Sequence, residues 1–77
     1  MNEEIQSTIS KIQKTIDTFD ILKTKDGEWQ NKINIARELC YQLTMLKLMI
    51  GINNFQNLHY FNLYDQEAIQ FLISALN

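Results

Sequence analysis

Ile5, Ile9, Ile12, Ile16 and Phe19 stand 4, 3, 4 and 3 residues apart. That spacing lines one face of an α-helix, because side chains three and four apart share a side. A strand alternates every two residues and has no use for it. Every other position from Gln6 to Asp17 is polar, so the apolar stripe is narrow. A narrow stripe fits one groove, and the helix is expected to lie across the outside of its neighbours. Alone it would be marginal in water. Asn2 is placed to cap it, and Glu3 and Glu4 put negative charge where the helix dipole favours it.

The same rhythm recurs further on. Lys23-Thr24-Lys25-Asp26-Gly27 is a polar break, so the first helix should end near Leu22. Asp26 is the expected N-cap of the second helix, with Glu28 in its first turn. Trp29, Ile33, Ala36, Cys40 and Leu43 repeat the 4, 3, 4, 3 spacing. Leu39, Leu46, Met49 and Ile50 widen that face, and Gly51 suits the helix end. Ile52, Phe55 and Leu58 suggest one or two helical turns, weakened by Asn53, Asn54 and Asn57. Asn62, with Asp65 three residues on, resembles a capping box that opens a last helix. Ala68, Ile69, Leu72, Ile73 and Leu76 are its expected apolar face.

The chain has no proline and two glycines, which argues against a turn-rich β architecture. The fold class is therefore all-α. Residues 1–77 form a single helical domain: a small bundle of two long antiparallel helices, a short helical connection and a C-terminal helix.

Charge is distributed unevenly. From Met1 to Glu38 there are seven acids and six bases, whereas from Leu39 to Tyr64 the only charge besides His59 is Lys47. A domain this small buries roughly 60–65% of its unfolded surface. So much apolar side chain must fill the core, cover a partner, or both. A homodimer through the Leu39–Tyr64 region is expected on that ground, since a two-fold interface uses one patch twice.

Catalytic and cofactor chemistry find little to stand on. His59 is the only histidine and Cys40 the only cysteine, which gives no metal set and no paired nucleophile. The carboxylate pairs Glu3–Glu4 and Asp65–Glu67 belong to helix starts, and Asp17 and Asp20 flank Phe19 on one face. The two glycines are too far apart for a phosphate loop. No enzyme and no cofactor is expected. The net charge is −2 and the lysines are interleaved with acids, so no direct nucleic-acid binding is expected either. The most apolar run, Leu39 to Ile52, is too short to span a bilayer, and no secretory signal is visible. A cytoplasmic protein is the expectation.

Phe55, Tyr60, Phe61, Tyr64 and Phe71 gather late in the chain. Tyrosine beside methionine is common at protein interfaces. Tyr41, Met45, Tyr60 and Tyr64 are the candidate partner-binding residues, with Tyr41 and Met45 four apart on one side of the second helix. Asn57-Leu58-His59-Tyr60-Phe61, through Gln66 to Leu76, is similar to the last helix of small bacteriocin immunity proteins, which are four-helix bundles. That likeness covers 20 residues and rests on generic apolar positions. The expected function is binding to a protein partner, as a small inhibitor or adaptor of the kind phages and mobile elements encode. A self-assembling structural homodimer, an immunity-like bundle and an aromatic-lined ligand-sequestering bundle are the alternatives.

Overall fold

The computed structural model describes residues 2–76. They form four helices: α1 (Glu3–Leu22), α2 (Trp29–Ile50), α3 (Ile52–Gln56) and α4 (His59–Leu76). No strand occurs among the described residues. The all-α bundle is as expected, with α1, α2 and α4 packed together. The molecule is elongated, 40 × 21 × 16 Å.

α2 is the central helix. α1 packs along it on one side and α4 on the other, while α3 closes the end. Thr8 Oγ1 lies 3.6 Å from Met49 Sδ, which fixes α1 antiparallel to α2. Lys47 pairs with Asp65, and α4 returns antiparallel to α2. α1 and α4 therefore run the same way. Their side chains meet through Gln13 and Tyr60, Asp20 and Tyr64, and Lys23 and Glu67.

One core serves all four helices: Ile12, Ile16, Phe19, Ala36, Leu39, Leu43, Leu46, Phe55 and Ala68. The α1 seam is not laid over the outside, as its narrowness suggests. Ile12 and Ile16 are fully buried, because α4 side chains close over the flank that α2 leaves open. On α2 the buried line is Lys32, Ala36, Leu39, Leu43 and Leu46, also at 4, 3, 4, 3. It keeps Ala36 and Leu43 of the expected Trp29–Ile33–Ala36–Cys40–Leu43 row and takes Leu39 and Leu46 from the row expected to widen it, leaving Ile33 and Cys40 half-buried. Trp29 is 61% exposed. Within the charge-poor stretch Leu39, Leu43, Leu46 and Phe55 are buried, while Tyr41, Met45, Leu48, Ile52, Leu58, Tyr60 and Leu63 are exposed.

The helix ends carry three lessons. Asn2 caps α1, its Oδ1 accepting from Glu4 N–H at 2.8 Å. Asp26 does not cap α2. Gly27 and Glu28 both take positive φ, at 69° and 54°, and α2 begins at Trp29 with no side-chain cap. The buried Lys32 ammonium donates to the Lys25 carbonyl and lies 4.7 Å from the Trp29 ring. This ties the loop to the helix and leaves Asp26 outside. Gly51, at φ 90° and ψ 149°, is needed as glycine, since side-chain-bearing residues avoid that region.

Asn62 does not open α4. Its N–H already donates to the Leu58 carbonyl, so the helix starts one turn earlier. Asp65 is drawn inward to Lys47 and is unavailable as a cap partner. The α4 face is shifted as well. Phe61, Tyr64, Ala68, Phe71 and Leu72 pack inward, while Ile69 and Ile73 are 41% and 47% exposed.

Candidate functional site

The four candidate residues fall at two places. Tyr41 and Met45 border a groove between α1 and α2, about 250 Å³ in volume, lined also by Thr8, Lys11, Glu38 and Gln42. Tyr60 and Tyr64 sit on the opposite flank, at the seam of α1 and α4.

Helix periodicity explains the first place. Tyr41, Met45 and Leu48 are spaced 4 and 3 along α2, on the side away from the buried line. Tyr41 is 63% exposed and Leu48 76%. Leu48 belongs with the other two, although it is not among the four candidate residues. The signal was there, as the third member of an outward stripe, but at Leu46 to Ile50 the helix looks apolar on almost every side. Gln42 Nε2 donates to Glu38 Oε1 at 3.1 Å. Gln42 Oε1 is shielded from solvent and accepts no protein hydrogen bond, so a donor entering the groove would satisfy it.

The second place is a row of aromatic rings. Trp29 stacks on Phe71 at 6.2 Å, Phe71 meets Phe19 edge-on, and Phe19 meets Tyr64 likewise. Tyr64 leads to Tyr60 at 5.2 Å. Tyr64 is half-buried. Its hydroxyl donates to Asp20 Oδ2 at 2.7 Å, and Lys23 bridges Asp20 and Glu67 at 3.0 and 2.9 Å. Tyr60 accepts from Gln13 Nε2 at 3.1 Å and keeps half its surface in water. Tyr64 is therefore placed to hold the seam, and Tyr60 to present a ring outward.

This network shifts titrations in both directions. The bond to Asp20, with burial, pushes the Tyr64 phenol up to about 12. Burial raises the Asp20 carboxyl, but hydrogen bonds from Tyr64 and Lys23 and the Lys23 charge outweigh it, leaving Asp20 below its ordinary value. Lys23 is raised chiefly by its bond to Glu67. A raised phenol favours the fold while protonated. Its contribution is complete below pH 10.0, the ordinary value, and is lost as pH rises through about 12. Asp20 acts in the opposite sense, contributing at neutral pH and losing its part only under strong acid. In an ultraviolet titration, one of the three tyrosines should ionise late, and Tyr64→Phe should abolish that late step. A late step that survives the substitution would assign it to another ring.

No group of three or more His, Cys, Asp or Glu residues that could hold a metal occurs among the described residues. His59 is exposed. Cys40 is half-buried, and burial, then the Asp65 charge, raises its thiol pKa against an opposing effect of Lys47. That makes it a poor nucleophile. No helix among the described residues is long and apolar enough to cross a membrane. No family model, curated protein or solved structure matches this chain.

Proposed function

We propose that this protein is a non-enzymatic protein-binding module, a small cytoplasmic inhibitor or adaptor of the kind phages and mobile elements encode. One observation carries the reading: the outward stripe Tyr41–Met45–Leu48 beside the α1–α2 groove. Large apolar side chains in water at helical spacing are what a partner protein covers. Tyr41 and Met45 supply adaptable apolar contact. Lys11 and Glu38, one of each sign on the groove wall, would orient the partner, and Gln42 Oε1 offers an acceptor. Tyr60 is a second contact on the other flank, supported from beneath by Tyr64.

The test uses the intact chain. It is immobilised beside a Tyr41→Ala/Met45→Ala variant, a native-host extract is passed over both, and captured proteins are identified by mass spectrometry. Affinity for the purified partner is then measured. The double variant should keep its helical circular dichroism and lose roughly 30-fold or more in affinity, the equivalent of about 2 kcal/mol. Unchanged affinity would move the interface elsewhere, with the polar face of α1 around Lys11, Lys14 and Asp17 next in line.

A second reading is self-assembly into a structural homodimer. It is favoured by a different surface, the outward side of α4, where Leu63, Ile69, Ile73 and Leu76 are exposed.

A further inference from the structure

α4 carries two stripes. One faces the core. The other consists of His59, Asn62, Gln66, Ile69, Ile73 and Leu76, spaced 3, 4, 3, 4 and 3. That is the repeat of a helix that pairs with another helix. Asn62 is half-buried, but His59, Gln66, Ile69, Ile73 and Leu76 are all exposed, Leu76 at 87%.

The charge pattern says what kind of helix it fits. Asp65 and Glu67 are the only carboxylates on α4, and the helix has no lysine or arginine. Asp65 is bound to Lys47 and Glu67 to Lys23. The outward side therefore presents no unspent carboxylate or ammonium. An ordinary surface helix is studded with charges of both signs. A foreign partner is commonly selected by charge, and the outward side of α4 itself offers none. Its polar members are instead the amides Asn62, Gln66 and, alongside, Gln70. An amide both donates and accepts, so it is its own complement.

We infer that the outward seam of α4 pairs with the same seam of a second copy of this chain, the two helices parallel and in register. This names the contact for the self-assembly reading and rests on it. Direction follows from polarity along the seam. His59, Asn62 and Gln66 make its first half; Ile69, Ile73 and Leu76 make its second. Parallel pairing sets aliphatic on aliphatic and amide on amide. Antiparallel pairing keeps aliphatic on aliphatic only when centred on Ile73, and it then covers just the second half of the seam and leaves Asn62 and Gln66 outside the contact. The groove beside the seam, about 310 Å³, adds Ile33, Leu72, Ala75 and Leu76 to the apolar ground a second copy would cover, with Arg37 of α2 the charged group on its wall.

Light scattering on the full chain, from about 5 to about 500 µM, reads the assembly. Mass should climb from 9.1 kDa to twice that value. Ile73→Glu should hold it at one chain while helical circular dichroism is retained. Orientation is read separately in a Cys40→Ser background. Ile69→Cys and Ile73→Cys, made separately, should each oxidise to a disulfide-linked dimer, because in-register positions lie within disulfide reach. Antiparallel packing can set at most one of the two positions opposite itself and holds the other well beyond the ~7 Å limit. A single-chain mass throughout would overturn self-assembly and the seam together. A dimer indifferent to Ile73→Glu, or one that fails to link at either of the two introduced thiols, would overturn the parallel seam and leave self-assembly standing.

Discussion

Phe55→Ala is expected to cost about 3–5 kcal/mol and to lower the urea midpoint more than other single truncations in this chain. Phe55 is the largest fully buried side chain, 1% exposed, yet it stands on a helix of five residues. So short a helix has almost no stability of its own. It is held by the ring it inserts beneath α2 and α4. Lys47 Nζ lies 5.0 Å above that ring, so truncation also removes a cation–π contact. A domain of this size has about 4–11 kcal/mol in all, and the variant should be partly unfolded at 37 °C. Ile52→Ala, on the same helix but 63% exposed, should stay within about 0.5 kcal/mol. Equal midpoint shifts from the two changes would mean that α3 is not anchored through Phe55.

Some of this was legible in the residues. The α1 seam, its Asn2 cap and the stop at Gly51 follow from local rules, and the structure agrees. What local rules miss is the competition between them. Asn62 and Asp65 have the spacing of a capping box, but Lys47 claims Asp65 from another helix. An interhelical ion pair cannot be read from the spacing of one segment. Asp26 is a good cap by type, but Lys32 reaches back to the Lys25 carbonyl and moves the start of α2. Lysine is the last residue one expects on a buried line, and it is what rotated the expected face of α2. Aromatic residues were hard for a related reason. Phe55, Tyr64 and Tyr41 look alike in sequence. One is sealed in the core, one hydrogen-bonds an aspartate at a helix seam, and one stands in water. Only the register of each helix separates them.

Lys47→Met should be the most damaging change among the charged positions, costing about 3 kcal/mol near neutral pH. The Lys47 ammonium lies 2.6 Å from Asp65 Oδ2, and the two side chains are 27% and 9% exposed. The pair is therefore unequal. Removing Lys47 leaves a carboxylate in a nearly dry site without its counter-charge. Removing Asp65 leaves an ammonium on a flexible stem that can turn to water, so Asp65→Leu should cost only about 1 kcal/mol. The double variant should recover most of the loss, because two apolar side chains of similar volume substitute well for a buried ion pair. Cys40 supplies an independent readout. The Asp65 charge raises its thiol pKa and Lys47 lowers it. Under native conditions Asp65→Leu should therefore quicken alkylation of Cys40, and Lys47→Met should slow it. Equal stability losses from the two single variants, or thiol rates moving the same way in both, would show that the pair is neither buried nor unequal in the sense the geometry demands.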